Sequence, residues 1–160
     1  MKTTLICIGK LKEKYLKEAA AEYLKRLSSY TDIEIIELPD EKAPEALSEK
    51  GKEAVLKKEG NRILERIPGN NPVIVTLEIR GKSCTSEELS DFIKIKMISG
   101  GNSFCFIIGG SLGLSPEVSA RSDFQLSLSK MTFPHQLTRI ILLEQIYRAF
   151  KIMKNEPYHK

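Results

Sequence analysis

Both histidines of this chain, His135 and His159, lie in its last third, as does most of what could hold a small ligand. Histidine is the side chain whose unperturbed pKa lies closest to neutral pH, so its positions are the first markers of proton chemistry. His135 closes the run Leu126-Ser-Leu-Ser-Lys-Met-Thr-Phe-Pro-His135. His159 stands in the terminal Asn155-Glu-Pro-Tyr-His-Lys160. Upstream, two apolar runs end in loops of ligand-binding character. Val73-Ile-Val-Thr-Leu-Glu-Ile79 passes into Arg80-Gly-Lys82, and Phe104-Cys-Phe-Ile-Ile108 into Gly109-Gly-Ser-Leu-Gly113-Leu. Glycines directly after a buried strand permit positive φ and close backbone approach, which leaves N–H and C=O groups for a ligand.

The phosphate fingerprints are missing. No GxxxxGK[ST] and no GxGxxG occurs, and Gly9 is followed at once by Lys10. A ligand gripped by looped backbone, adenosine-like or amino-acid-like and without phosphates, fits better than a nucleotide held at a helix N-terminus.

Such loops need a sheet to present them, and the chain alternates strand and helix. Residues 3–9 form an apolar β-branched run. Leu11, Tyr15, Leu16, Ala19, Tyr23, Leu24 and Leu27 recur at helical spacing, and residues 33–38 make a second strand before Pro39. A looser helical stripe over 45–66 is interrupted by Gly51 and Gly60. After the turn Pro68-Gly-Asn-Asn-Pro72 comes the strand 73–79, then a helix over 86–98 opened by a capping box of Thr85 and Glu88. Strands at 104–108 and 124–128 flank a short helix begun by Ser115-Pro116, and a helix over 135–154 ends the pattern. Central strands apolar on both faces, alternating with helices, predict one α/β domain over 1–160. Its sheet is mainly parallel, five-stranded and flanked by helices. In such sheets ligands sit beyond the carboxyl ends of the strands, here the ends of strands three, four and five.

Composition narrows the class. Twenty-five basic and twenty-one acidic residues leave a net charge of +4, compatible with a nucleic-acid partner without requiring one. Lysines and arginines are dense over 10–26 and 50–66, where acidic neighbours at i+3 or i+4 favour a solvated helix face. Cys7, Cys84 and Cys105 cannot all pair within one chain and lack metal-ligand spacing. A reduced, cytoplasmic protein without metal is expected. No apolar stretch approaches a membrane span. From Leu137 to Met153 the last helix is apolar on nearly all sides, interrupted by Arg139, Glu144, Arg148 and Lys151. Arg139 and Glu144 read as solvated or paired along the helix, and His135 as a structural or capping residue. A surface helix keeps a polar face, so a C2 homodimer through this helix is expected.

Five segments carry a resemblance: Thr76-Leu-Glu-Ile-Arg-Gly-Lys82, Phe106-Ile-Ile-Gly-Gly-Ser-Leu-Gly-Leu114, Leu126 to His135, Glu144-Gln-Ile-Tyr-Arg-Ala149 and Pro157-Tyr-His-Lys160. Together they resemble the RlmH family, small SPOUT-class methyltransferases that modify N3 of a pseudouridine in 23S ribosomal RNA. The resemblance implies an α/β fold with a C-terminal trefoil knot, which ordinary connection rules would exclude. It also implies S-adenosylmethionine as cofactor, a homodimer, and the ribosome as the setting of the reaction. Carried over by position, the cofactor contacts are Leu77, Gly109, Leu128, Ser129, Lys130, Met131, Thr132 and Phe133. The chemistry has one difficulty: the imide N3–H must lose its proton before or during attack. The matching tail nominates His159 as base, Arg148 and Lys160 as cations that stabilise the anion or hold phosphate, and Tyr158 to stack on the substrate base or hydrogen-bond it. Another RNA substrate such as tRNA, or ribosome binding without catalysis, are the competing readings.

Overall fold

The computed structural model describes residues 1–160. Ten elements follow one another: β1 (Lys2–Ile8), α1 (Lys14–Leu27), β2 (Asp32–Leu38), α2 (Glu49–Leu64), β3 (Val73–Ser83), α3 (Ser86–Ile98), β4 (Ser103–Ile108), α4 (Pro116–Ser119), β5 (Phe124–Ser127) and α5 (His135–Met153). The strands form one sheet in the order β2-β1-β4-β3-β5, and every ladder is parallel.

Period-two alternation divides the core into two layers. Leu5, Cys7, Val75, Phe104, Phe106 and Leu126 point to the face covered by α1, α3 and α5. Ile6, Ile8, Ile74, Cys105 and Ile107 point to the face covered by α2 and α4, through Ile63 and Val118. Each of these fully buried side chains contributes on the order of 1.5–3 kcal/mol by leaving water. β4 is buried along its whole length, which accounts for its unbroken apolar sequence.

Several elements follow from local chemistry. The Thr85 hydroxyl accepts from the Glu88 N–H at 3.2 Å, and the Thr85 N–H donates to the Glu88 carboxylate at 2.7 Å, so the expected capping box sets the start of α3. Gly51 and Gly60 do not break α2. Ser48 caps the helix by accepting from the Gly51 N–H, and a Cβ at Gly60 would lie 2.4 Å from the Ser115 hydroxyl. The second glycine is therefore a packing requirement, letting α2 lie against the start of α4.

Much of the apolar wrap of α5 is used within the chain, with α1 on one side, α3 on the other and the sheet beneath, while Leu137 stays exposed. One expectation about α5 needs correction. Arg139 is neither solvated nor paired along the helix. It is buried at 1% exposure, its guanidinium paired with Glu37 at the end of β2 and donating to the Gly9 carbonyl at 2.9 Å. The reason is placement: the first turns of α5 cross the carboxyl ends of β1 and β2, where a cation finds a carboxylate and a free carbonyl. Removing one partner of a buried pair leaves the other uncompensated. Arg139→Ala is expected to lower stability by about 3 kcal/mol in urea denaturation. Glu37→Gln should cost less, because Glu37 is one-third exposed and Gly9 still accepts from the guanidinium.

Cys7 and Cys105 are buried, and burial pushes both thiols up to about 12, so neither offers a thiolate at neutral pH. No helix is long and apolar enough to cross a membrane.

Candidate active site

A cleft of about 770 Å³ opens at the carboxyl ends of β3, β4 and β5, within the roughly 300–1,000 Å³ usual for small-molecule sites. Three backbone devices shape it. At the end of β3 both Leu77 and Lys82 pair with Leu126, so residues 78–81 leave the ladder as a bulge that turns Glu78, Ile79 and Arg80 toward the cleft. Gly81 makes this possible, since a Cβ there would meet the Gln125 carbonyl oxygen at 2.6 Å. After β4, Gly110 and Gly113 close a tight loop through a bridge and an N–H···O bond of 3.1 Å, with Gly113 at φ +85°. A Cβ on Gly109 would lie 2.4 Å from the Gly113 carbonyl oxygen. After β5, the Ser127 hydroxyl lies 3.0 Å from the Ile79 carbonyl and 3.1 Å from that of Ser129, tying this loop to the β3 bulge.

The sequence-derived contacts mostly converge here. Leu77 and Gly109 line two walls; Leu128, Ser129, Met131, Thr132 and Phe133 form the third. Lys130 is exposed and does not line the cleft. Residue-level reasoning missed Glu78, Thr138 and His135 as lining groups. His135 makes no capping bond, because Pro134 occupies the cap position without a side-chain donor or acceptor. Beneath the glycine loop lies another unanticipated group, Glu59 of α2. Its carboxyl is buried and shifted upward by desolvation, with one oxygen accepting from the Glu41 N–H and the other without a partner, 2.8 Å from where a Gly110 Cβ would be.

The tail residues gather elsewhere. Arg148 is paired with Glu144 one turn earlier on α5, and its guanidinium lies over the Tyr158 ring, 4.6 Å from the centroid. Tyr158 donates to the same carboxylate at 3.0 Å. Burial, followed by hydrogen bonds to Tyr23 and Glu144, pushes its phenol above the ordinary range. Arg148 Nη1 lies 3.3 Å from His159 Nδ1, and His159 Nε2 lies 2.8 Å from the Glu87 carboxylate of α3. Guanidinium can only donate, so a hydrogen bond from Arg148 uses Nδ1 as acceptor and leaves Nε2–H to donate to Glu87. Glu87 is held down to about 2, first by its own N–H and then by His159 and Thr85. Upstream, Glu156 accepts from Lys151 at 2.7 Å and from the Tyr30 hydroxyl, which ties the tail to α5 and to the turn after α1. Lys160 is exposed and outside this network.

Neither Arg148 of α5 nor Tyr158, His159 and Lys160 of the tail lines the cleft. Thr138, which does, precedes Arg148 by ten helical residues, or roughly 15 Å of rise. Many cations of α1 and α2 are paired, Lys14 with Glu18, Arg26 with Glu22, Lys52 with Glu49 and Arg62 with Glu41. Arg80 at the cleft, with Lys82 and Lys130 on the same loops, takes part in no ion pair. No group of three or more His, Cys, Asp or Glu residues is arranged to hold a metal ion.

A family model described as a predicted SPOUT methyltransferase matches residues 1–159. The chain belongs to this family. The ribosomal RNA large subunit methyltransferase H of Carboxydothermus hydrogenoformans is 56% identical to this SPOUT methyltransferase over 160 residues, covering 100% of both chains. A solved structure of a probable methylase family protein from Haemophilus influenzae Rd KW20 shares the fold. Its TM-score is 0.54 at 11% identity, over 99% of this chain and 70% of that one. A putative methyltransferase from Legionella pneumophila, solved with SAM bound, gives a TM-score of 0.49 at 14% identity, over 94% of this chain and 66% of that one. The likeness carried by five short segments thus runs the whole length of the chain.

Proposed function

We propose that this SPOUT methyltransferase, acting as one domain over residues 1–160, transfers a methyl group from S-adenosylmethionine to N3 of a pseudouridine in 23S ribosomal RNA. The observation that carries the reading is the cleft. Its walls are apolar side chains and looped backbone, without a phosphate cradle, and it is of a size for a nucleoside joined to an amino acid. Leu77, Leu128 and Phe133 suit a purine ring, the loops after β4 and β5 offer backbone donors and acceptors, and Glu78 suits a cationic group. When bound, the cofactor supplies a methyl carbon on a sulfonium, a good leaving group. What remains to the protein is to bind, orient and deprotonate the base. The ribosomal substrate is supported by the full-length relative, named for large-subunit ribosomal RNA. The C-terminal knot implied by the resemblance belongs to the same reading.

The site is completed by a second copy of the chain. Within one chain Arg148, Tyr158 and His159 are ordered yet lie outside its cleft, as does the exposed Lys160. Meanwhile the cleft and its mouth expose Ile79 at 53%, Met131 at 70% and Leu137 at 39%. A C2 dimer that covers this apolar rim brings one protomer's tail to its partner's cleft, with residues of α5 contributing to the interface. Arg148, Tyr158 and Lys160 then face the substrate base and its phosphates, and Arg80, Lys82 and Lys130 add cations at the mouth. Recognition rests on these phosphate contacts and on the shape of the assembled ribosome.

The test is incubation of the purified protein with methyl-labelled S-adenosylmethionine and ribosomes from cells lacking the gene. Label in 23S RNA is expected. Label only in tRNA, or no cofactor binding at millimolar concentration, overturns the proposal.

A further inference from the structure

Two imidazoles exist in this protein, and the structure treats them differently. His159 is engaged at both nitrogens, Nδ1 by Arg148 and Nε2 by Glu87. His135 is engaged at neither, yet it lines the cleft, half-buried, at the first position of α5. Its Nε2 edge rests over Gly9, where a Cβ would come within 3.2 Å of Nε2 and 3.7 Å of Cδ2. Gly9, at φ +86°, is the residue that leaves room for the ring. Nδ1 stands on the opposite side of the imidazole.

We infer that His135 is the group that takes the N3 proton of the substrate base, leaving His159 as a positioning residue in the Arg148–Glu87 network. The inference rests on the proposed methyl transfer and names the residue that reading leaves open. The step balances simply. The N3–H bond breaks, with its proton passing to an imidazole nitrogen of His135. The pair freed on N3 forms the bond to the methyl carbon as the carbon–sulfur bond breaks, with those electrons leaving on sulfur. The proton then returns to solvent from the imidazolium.

The surroundings suit a neutral imidazole. Desolvation lowers the pKa of His135 from 6.5, and the charges of Arg139 on its own helix and Lys12 on the β1–α1 loop lower it further. Asp40 on the β2–α2 loop opposes them. Glu37 is taken up by Arg139, and Glu78 and Arg80 face the same cleft from β3. The amino end of α5 also disfavours a cation at its first residue. A base has to be neutral to accept a proton, so kcat/KM is expected to fall on the acid side with a midpoint below 6.5.

The experiment combines kinetics with a readout that needs no turnover. Because the chain has only two histidines, the NMR titration of each imidazole is assigned with His159→Asn. His135 should titrate below 6.5. His135→Asn and His135→Gln should lower kcat about 10²–10³-fold near neutral pH, with S-adenosylmethionine affinity held within about threefold. The acid limb should vanish, and the residual rate should climb toward alkaline pH as the imide ionises unaided. His159→Asn should lose rate while keeping that acid limb. Full activity with an unchanged pH profile in both His135 variants overturns the assignment. So does loss of cofactor affinity equal to the loss in rate, transfer of the acid limb to His159, or a His135 midpoint above 6.5. A wild-type protein that binds cofactor but methylates no RNA overturns the underlying reading, a result distinct from each of these.

Discussion

Gly109→Ala is expected to lower affinity for S-adenosylmethionine at least 100-fold while leaving the protein folded. The added Cβ would fall 2.4 Å from the carbonyl oxygen of Gly113, 2.6 Å from its carbon and 3.0 Å from Leu114 Cδ2. Two of these three atoms are backbone, so no rotamer change relieves the clash. Residues 110–113 are closed by their own bridge, so the loop has to move as a unit away from β4. That loop forms one wall of the cleft, and a shift of even an ångström misplaces every backbone group it presents. A 100-fold loss corresponds to about 2.8 kcal/mol. Gly69→Ala is the matched control, because nothing lies within 4 Å of a Cβ at that position. Isothermal titration calorimetry on the two variants checks the result; tight binding by Gly109→Ala would show that the cofactor does not use this loop.

Deleting Tyr158-His159-Lys160 should have the opposite signature. None of the three lines the chain's own cleft, so cofactor affinity is expected to stay within about threefold. Methylation of ribosomes should fall on the order of 10³-fold, in the range for losing positioning and charge-stabilising groups together. Arg148 would also lose the ring and imidazole that now fix it, although Glu144 remains its partner. A composite site makes a sharper demand. If tail and cleft come from different protomers, tail-deleted chains mixed with Gly109→Ala chains should give heterodimers in which one of two sites has both an intact cleft and an intact tail. The mixture should therefore methylate where neither variant does. A mixture as inactive as its parts would place tail and cleft in the same protomer's service.

Much of this organisation is legible in the linear sequence because it is set locally. Thr85 and Glu88 lie three residues apart and mark the start of α3 without any tertiary information. The apolar run of β4 and the glycines after it locate a cleft wall, since a short aromatic and β-branched run bounded by glycines fits a buried strand and only glycine tolerates the Gly109–Gly113 approach. What could not be read depends on distant partners. Arg139 meets Glu37 across 102 positions and Gly9 across 130, so its burial is invisible to helix-face reasoning. The tail ought to fray by its position, but Glu156 is held by Tyr30 across 126 positions. The β3 bulge extends a strand that periodicity ends at Ile79, because a register shift leaves no mark in hydrophobic alternation. Gly60 looks like a helix breaker until Ser115 is seen against it.

Methylation of one pseudouridine in 23S ribosomal RNA can be read by mass spectrometry of that RNA from cells lacking the gene, with and without the wild-type chain restored. A single pseudouridine is expected to lack its N3 methyl group in the deletion and to regain it on complementation. A 23S RNA whose methylation is identical with and without the gene would rule this function out.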